Sequence, residues 1–297
     1  MAEDNSMSFS EAPPHISEWR RFWRVFLQRK LVIIGLVILT ILVITAIFAP
    51  LLAPYDPYRG EEIRDSLEQP SWKYLLGTDI QGRDTLSRLI YGTRMVLIVG
   101  FITTGFAATV GIILGVLAGY YGGVTSMIIM RIMDALMGFP MIILALILAA
   151  VLGGGIQNVI IALSVAMLPG YARVIHGLTL SIKENDYVLA QKSMAATNLR
   201  IMFLHILPNA LPPMIVLITL QLGTLILAEA GLSFLGVGIK PPGAAWGAMV
   251  ADGYGYLLSN PMLSFAPGVA IMLVVFAFNL VGDGLRDALD PRLRGLL

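Results

Sequence analysis

From residue 31 to residue 52 the chain runs for 22 residues without a charged side chain. A helix of that length rises about 33 Å, enough to cross the roughly 30 Å hydrocarbon core of a bilayer. Further apolar runs follow at 96–118, 127–152, 156–175, 214–230 and 263–281. Inside a bilayer the backbone must satisfy its own hydrogen bonds, so runs of this length are read as helices. Of the 297 residues 57% are apolar and 13% are charged, which leaves too little polar surface to cover a soluble globule. The expected fold is therefore an all-α polytopic membrane protein with six transmembrane helices. An even number of spans puts both termini on one side.

The polar segments between the runs set the orientation. With both termini inside, the inner segments hold thirteen Lys and Arg residues and the outer ones seven. This bias agrees with the positive-inside rule. The expected organisation is a cytoplasmic N-terminal tail with an amphipathic helix (1–30), a first transmembrane helix (31–53) and an extracytoplasmic segment (54–94). A transmembrane domain (95–283) and a cytoplasmic tail (284–297) follow. Residues 1–18 are polar and read as disordered. In residues 19–30, Trp19, Phe22, Trp23 and Phe26 share one side of a basic helix. Such a helix serves as a juxtamembrane anchor or lies on an anionic lipid surface. The first run has no small-residue cleavage site after it and reads as a span, not a removable signal.

Several chemistries are excluded. There is no cysteine, so disulfides and thiolate metal sites are ruled out, and His15, His176 and His205 lack metal-ligand spacing. A net charge of +1 with scattered basic residues offers nothing to nucleic acid. No cofactor motif is present. Asp79 and Asp84 lie in GTDIQGRD, which resembles a phosphate loop only superficially, because no strand precedes it and no Lys-Ser/Thr follows. A turn leading into an amphipathic surface helix is the reading adopted for it. Arg131 and Asp134, at i and i+3 in the third run, share a helix face. They are read as a structural pair at the interface, with a transport role as the alternative. Glu229, near the end of the fifth run, reads as solvated at the outer interface or paired. Trp246 reads as an interfacial ring.

The most distinctive polar segment lies between the fourth and fifth runs. Residues 183–213 read KENDYVLAQKSMAATNLRIMFLHILPNALPP, far longer than a turn needs. Tyr187, Ala190, Gln191, Met194 and Ala195 fall at helical spacing. Asn198 is suited to cap a second helix with Ile201, Met202, Phe203, Ile206 and Leu207 on its apolar side. Pro208 fits the start of the next membrane helix. Two short helices meeting near Ala195-Ala196-Thr197, tied to membrane helices at both ends, can pass a push from a soluble partner into the membrane.

This segment resembles the "EAA" cytoplasmic loop of the inner-membrane permease subunits of binding-protein-dependent ABC transporters. The resemblance is carried by Tyr187, Val188 and Ala190, by Ala195-Ala196, and by His205-Ile206-Leu207-Pro208-Asn209-Ala210. Two positions depart from the family pattern. Leu189 stands where the acidic residue is usual, with Gln191 at the second alanine, and Ala195 stands where the family has a glycine at the bend. LGTDIQGRDTLSRLIYGTR (76–94), LSFLGVGIKPPGAAWGAMVADG (232–253) and FNLVGDGLRDALDPRLR (278–294) are similar to words of the dipeptide, oligopeptide and nickel branch.

The resemblance implies a type I (MetI-like) transmembrane domain in a prokaryotic cell membrane, with a coupling loop at 177–210 docking in an ATPase cleft. Asp186, Tyr187, Val188, Leu189, Ala190, Ala195, Ala196 and Pro208 are the positions it assigns to that coupling. It also implies a second permease subunit, two ATP-binding cassette subunits and an extracytoplasmic substrate-binding protein. The chain has no G-x-x-x-x-G-K-[ST], so ATP hydrolysis is expected in a separate subunit. Arg131, Asp134, Glu229 and Trp246 are the candidates for a gate or pathway. The alternative is an ion-coupled secondary transporter or channel, which needs intramembrane charge and favours an inverted repeat. Only three charged residues are available to it, and no mirrored motif is present.

Overall fold

The computed structural model describes residues 18–59, 65–240 and 242–289. The readings made for residues 1–17, including His15, and for Arg292 and Arg294 lie outside them. The described chain is nearly all helix: α1 (Glu18–Gln28), α2 (Lys30–Ile47), α3 (Ala49–Leu52), α4 (Thr85–Tyr121), α5 (Gly123–Met137) and α6 (Met141–Leu152). Then come α7 (Ile156–Lys183), α8 (Asp186–Ser193), α9 (Asn198–Ile201), α10 (Leu207–Phe234), α11 (Trp246–Tyr254) and α12 (Met262–Leu289).

Five helical segments are long and apolar enough to cross a membrane: α2, α4, α7, the stretch Asn198–Phe234, and α12. The sixth span differs from the straight run expected at 127–152, because α5 and α6 meet at 88°. Pro140 explains the break: it donates no hydrogen bond and disfavours helical geometry at Phe139, so α5 ends at Met137. α4 is longer than the second run implied, since the segment before residue 96 continues the same helix from Thr85.

The tightest pairing is α4 against α7, and its cause is the spacing of small residues. Gly111, Gly115 and Gly119 lie along one stripe of α4 facing Tyr171, Ala172 and Thr179. A Cβ at Gly115 would stand 2.3 Å from the Ala172 carbonyl oxygen, so the backbones touch where only glycine fits. Within the membrane such close packing replaces water exclusion as the associating force. Around this pair Val159, Leu163, Ile175, Met214 and Leu225 form the main core. A second core of Leu42, Val96, Leu222, Ile226, Trp246 and Phe278 joins α2, α4, α10, α11 and α12.

α1 is docked as well as amphipathic. Trp19, Phe22, Trp23 and Phe26 stack in series, with neighbouring ring centroids 5.5 to 6.0 Å apart. Phe26 is buried with Val32 and Val281, and Arg29 pairs with Asp287 at 2.7 Å. α1 is therefore fixed to the end of α12.

Candidate functional site: a projecting elbow and a clasp at the opposite end

Beyond the end of α7, α8 and α9 form the expected angled pair. The cap of α9 is Thr197, whose hydroxyl accepts from the Arg200 N–H, and not Asn198, which is the first helical residue. Asn198 instead accepts a hydrogen bond from the Tyr120 hydroxyl at 2.8 Å, tying α9 to the end of α4. α9 is also no separate helix: a π-helical turn, Met202–Ile206, carries it directly into α10. The shift in hydrogen-bond register comes just before Pro208, which has no N–H to offer the ladder.

Val188 is fully buried with Ile201 and Ile206, and this contact holds α8 against the bundle. The rest of α8 faces away. Asp186, Tyr187, Leu189 and Ala190 are exposed, as are Ala195, Pro208, Met194 and Leu199. Ala196 packs partly against the Val188 cluster. An exposed apolar surface formed by Tyr187, Leu189, Met194 and Leu199 therefore rests on one buried anchor. The bend is made by Ala195 at φ +56°, where the backbone favours glycine.

The pairing expected between Arg131 and Asp134 is not found. Both are exposed on α5, but Asp134 pairs across to Arg173 on α7, since the same helix face turns Asp134 towards its neighbour. Glu229 is likewise not solvated: it is 3% exposed and accepts a hydrogen bond from the Ser233 hydroxyl at 2.6 Å. Ser233 in turn accepts from the Ile239 N–H at 3.3 Å, so the carboxylate holds the turn that follows α10. Trp246 is not an exposed ring. It is buried, its indole N–H donates to the Leu89 carbonyl at 3.0 Å, and its ring lies where a Cβ on Gly92 would be.

The largest departure concerns GTDIQGRD. The expected turn is present, with Ile80 and Gln81 exposed at its tip, but the charged side chains around it form a buried ion cluster where the 65–84 segment meets the start of α4. The Asp79 carboxylate accepts from Arg83 Nε at 2.7 Å and lies 3.4 Å from Arg88 Nε. All three side chains are at most about a tenth exposed. Asp84 caps α4 by accepting from the Ser87 N–H at 2.7 Å. Arg88 also donates to the Pro57 carbonyl at 3.3 Å. Gln69 and Asn260 tie the same segment to the α11–α12 connection through the Ser259 and Glu68 carbonyls. Across from Arg88, burial pushes the Asp252 carboxyl up from its ordinary range, while Arg88 and Arg83 draw it down and Asp79 pushes it up further. Among the described residues no group of three or more His, Cys, Asp or Glu is arranged to hold a metal.

Residues 111–295 match the model of the binding-protein-dependent transport system inner membrane component family. The chain belongs to that family. Residues 17–70 match the N-terminal TM domain of oligopeptide transport permease C, in keeping with the branch whose words the sequence resembles. The dipeptide transport system permease protein DppC of Alkalihalophilus pseudofirmus is 41% identical over 98% of this chain and 96% of its own length. The di/tripeptide permease DppC of Pseudomonas aeruginosa is 41% identical over 94% of this chain and 93% of its own. The glutathione permease GsiD of Pectobacterium atrosepticum is 40% identical over 93% and 92%. Among solved structures, the inward-facing MetNI methionine ABC transporter matches with a TM-score of 0.56 at 24% identity, over 68% of this chain and 96% of that one. That likeness gives the fold, a MetI-type transmembrane domain. This permease is thus a multi-pass inner-membrane transport subunit of an ABC importer. Family membership implies that it works with other subunits.

Proposed function

We propose that this permease forms half of the pathway of an ATP-driven importer of short peptides, and that it is coupled to a separate ATPase through α8. The observation that carries the coupling is the set of exposed apolar side chains on α8 and its flanking bend, held at the end of the bundle through the Val188 cluster. A helix outside the apolar runs has no reason to expose Tyr187, Leu189, Met194 and Leu199 unless a protein covers them. Asp186, Ala190, Ala195 and Ala196 complete the docking surface, and Pro208 starts the helix that carries its movement inward. In this reading the termini and residues 177–210 are cytoplasmic, and residues 54–94 and 233–262 lie outside.

In this reading the full assembly comprises a second permease, two ATP-binding cassette subunits and an extracytoplasmic binding protein, and the family's description supports the last of these. Peptide as the substrate class draws on the names of the relatives, which transport dipeptides, tripeptides and glutathione. α4 and α10 line the pathway, and the broken segment from Ser233 to α11, with Glu229 and Trp246 beneath it, is the outer gate. Arg131 and the Asp134–Arg173 pair lie on the pathway side of α5 and α7.

The test is dialanine uptake into proteoliposomes holding this permease with its partner permease, ATPase subunits and binding protein. Uptake should require the binding protein and ATP. Ala195→Trp, which crowds the bend, should abolish uptake and binding-protein-stimulated ATPase while the chain still inserts. Uptake that continues without the binding protein and ATPase would overturn the importer reading and favour a secondary transporter.

A further inference from the structure

Arg88 is 2% exposed and has five N–H donors to satisfy in one place. Arg83 takes the closer position on Asp79, which leaves Arg88 at the longer 3.4 Å contact, and the Pro57 carbonyl takes one further donor. Arg88 also lines a small cavity shared with Thr85, Met249 and Asp252. The Thr85 hydroxyl there is buried and has no hydrogen-bond partner. Asp252, on α11, faces the same space. Its charge acts on Arg88, yet no contact-distance ion pair joins them. Arg88, Asp79 and Asp252 thus converge on one cavity, with Arg83 already paired to Asp79 and Asp252 held by no contact-distance cation. A buried donor or acceptor left without a partner costs free energy, so such a cluster is poised to close.

What would close it is α11. This helix has nine residues and lies between two irregular connections. It is tied to α4 by Trp246 and to α12 by the Ser264 hydroxyl, which donates to the Val250 carbonyl at 3.0 Å. We infer that a small slide of α11 along α12 brings the Asp252 carboxylate onto Arg88, a two-position latch by which the start of α4, braced by Asp79 of the 65–84 segment, holds or releases α11 as the binding protein engages the outer face. The inference rests on the importer reading. Asp252 is a positioning residue: it touches no substrate and acts through Arg88. The energy difference between its two positions links the outer surface to the gate.

The experiment uses the complete complex in nanodiscs, with ATPase measured alone and with binding protein loaded with dialanine. Asp252→Asn removes the charge and keeps the shape. It should lower the ratio of stimulated to basal rate by about fivefold or more, the size of a modest coupling free energy. Asp252→Glu, which restores the carboxylate, should recover most of the ratio. In an Ala251→Cys background, an impermeant thiol reagent should label faster when Asp252→Asn is also present. An unchanged ratio in Asp252→Asn would overturn the latch. So would equal loss of both rates together with loss of assembled complex, which marks a merely structural residue. If the unaltered complex shows no stimulation by the binding protein, the importer reading fails first and the latch with it.

Discussion

At Ala195 the backbone adopts φ +56°, a conformation that places an L side chain against the following carbonyl at a cost of about 1–2 kcal/mol. Glycine is the residue that adopts this angle without strain. Ala195→Gly should therefore raise the thermal unfolding midpoint of the purified chain, by relieving about 1 kcal/mol, and leave coupling intact. A lowered midpoint would show that the alanine methyl makes a contact worth more than the strain. Leu189, 42% exposed on α8, should accept glutamate at no cost in folding. The strain at Ala195 was legible in the sequence, because the bend residue could be named before its angle was known. The surroundings of Glu229 and Trp246 were not. Each is held by contacts that no local pattern encodes: the indole of Trp246 donates to a carbonyl 157 positions away.

Periodicity and run length located the helices but not how they meet. The run at 127–152 reads as one apolar stretch, and only the hydrogen-bond and steric effects of Pro140 turn it into α5 and α6 at 88°. Likewise the polar words before residue 96 masked the fact that α4 starts at Thr85. Polarity argued for a surface, while a buried ion cluster needs partners from distant segments, which composition cannot supply. The glycines of α4 differ in consequence. Gly115 has the Ala172 carbonyl 2.3 Å from a hypothetical Cβ, whereas Gly105 has nothing within 4 Å. Gly115→Leu should prevent α4 from seating on α7 and cost several kcal/mol, as overpacking at a backbone contact does. Size-exclusion of the detergent-solubilised chain should show loss of the monodisperse peak. Gly105→Leu should leave that peak unchanged, and equal behaviour of the two would refute the pairing as the source of stability.

For the molecule as a whole, the absence of cysteine makes the proposed orientation directly testable. Trp72→Cys and Leu258→Cys, at positions where the native side chains are almost wholly exposed, should react with an impermeant maleimide in intact cells. Lys192→Cys should react only after the membrane is opened, and reaction from outside would invert the topology. The same geometry has a mechanical consequence. α4 is one unbroken helix of 37 residues, about 55 Å long. Arg88 is gripped at one end and Tyr120 is hydrogen-bonded to α9 at the other. A stiff beam held at both tips cannot move one tip alone. A tilt of about 5° about its centre swings each end by about 2 Å in opposite directions, given its length. If it pivots in this way, the two mouths of the pathway move in antiphase, and opening at one face carries closure at the other without a separate signal between them.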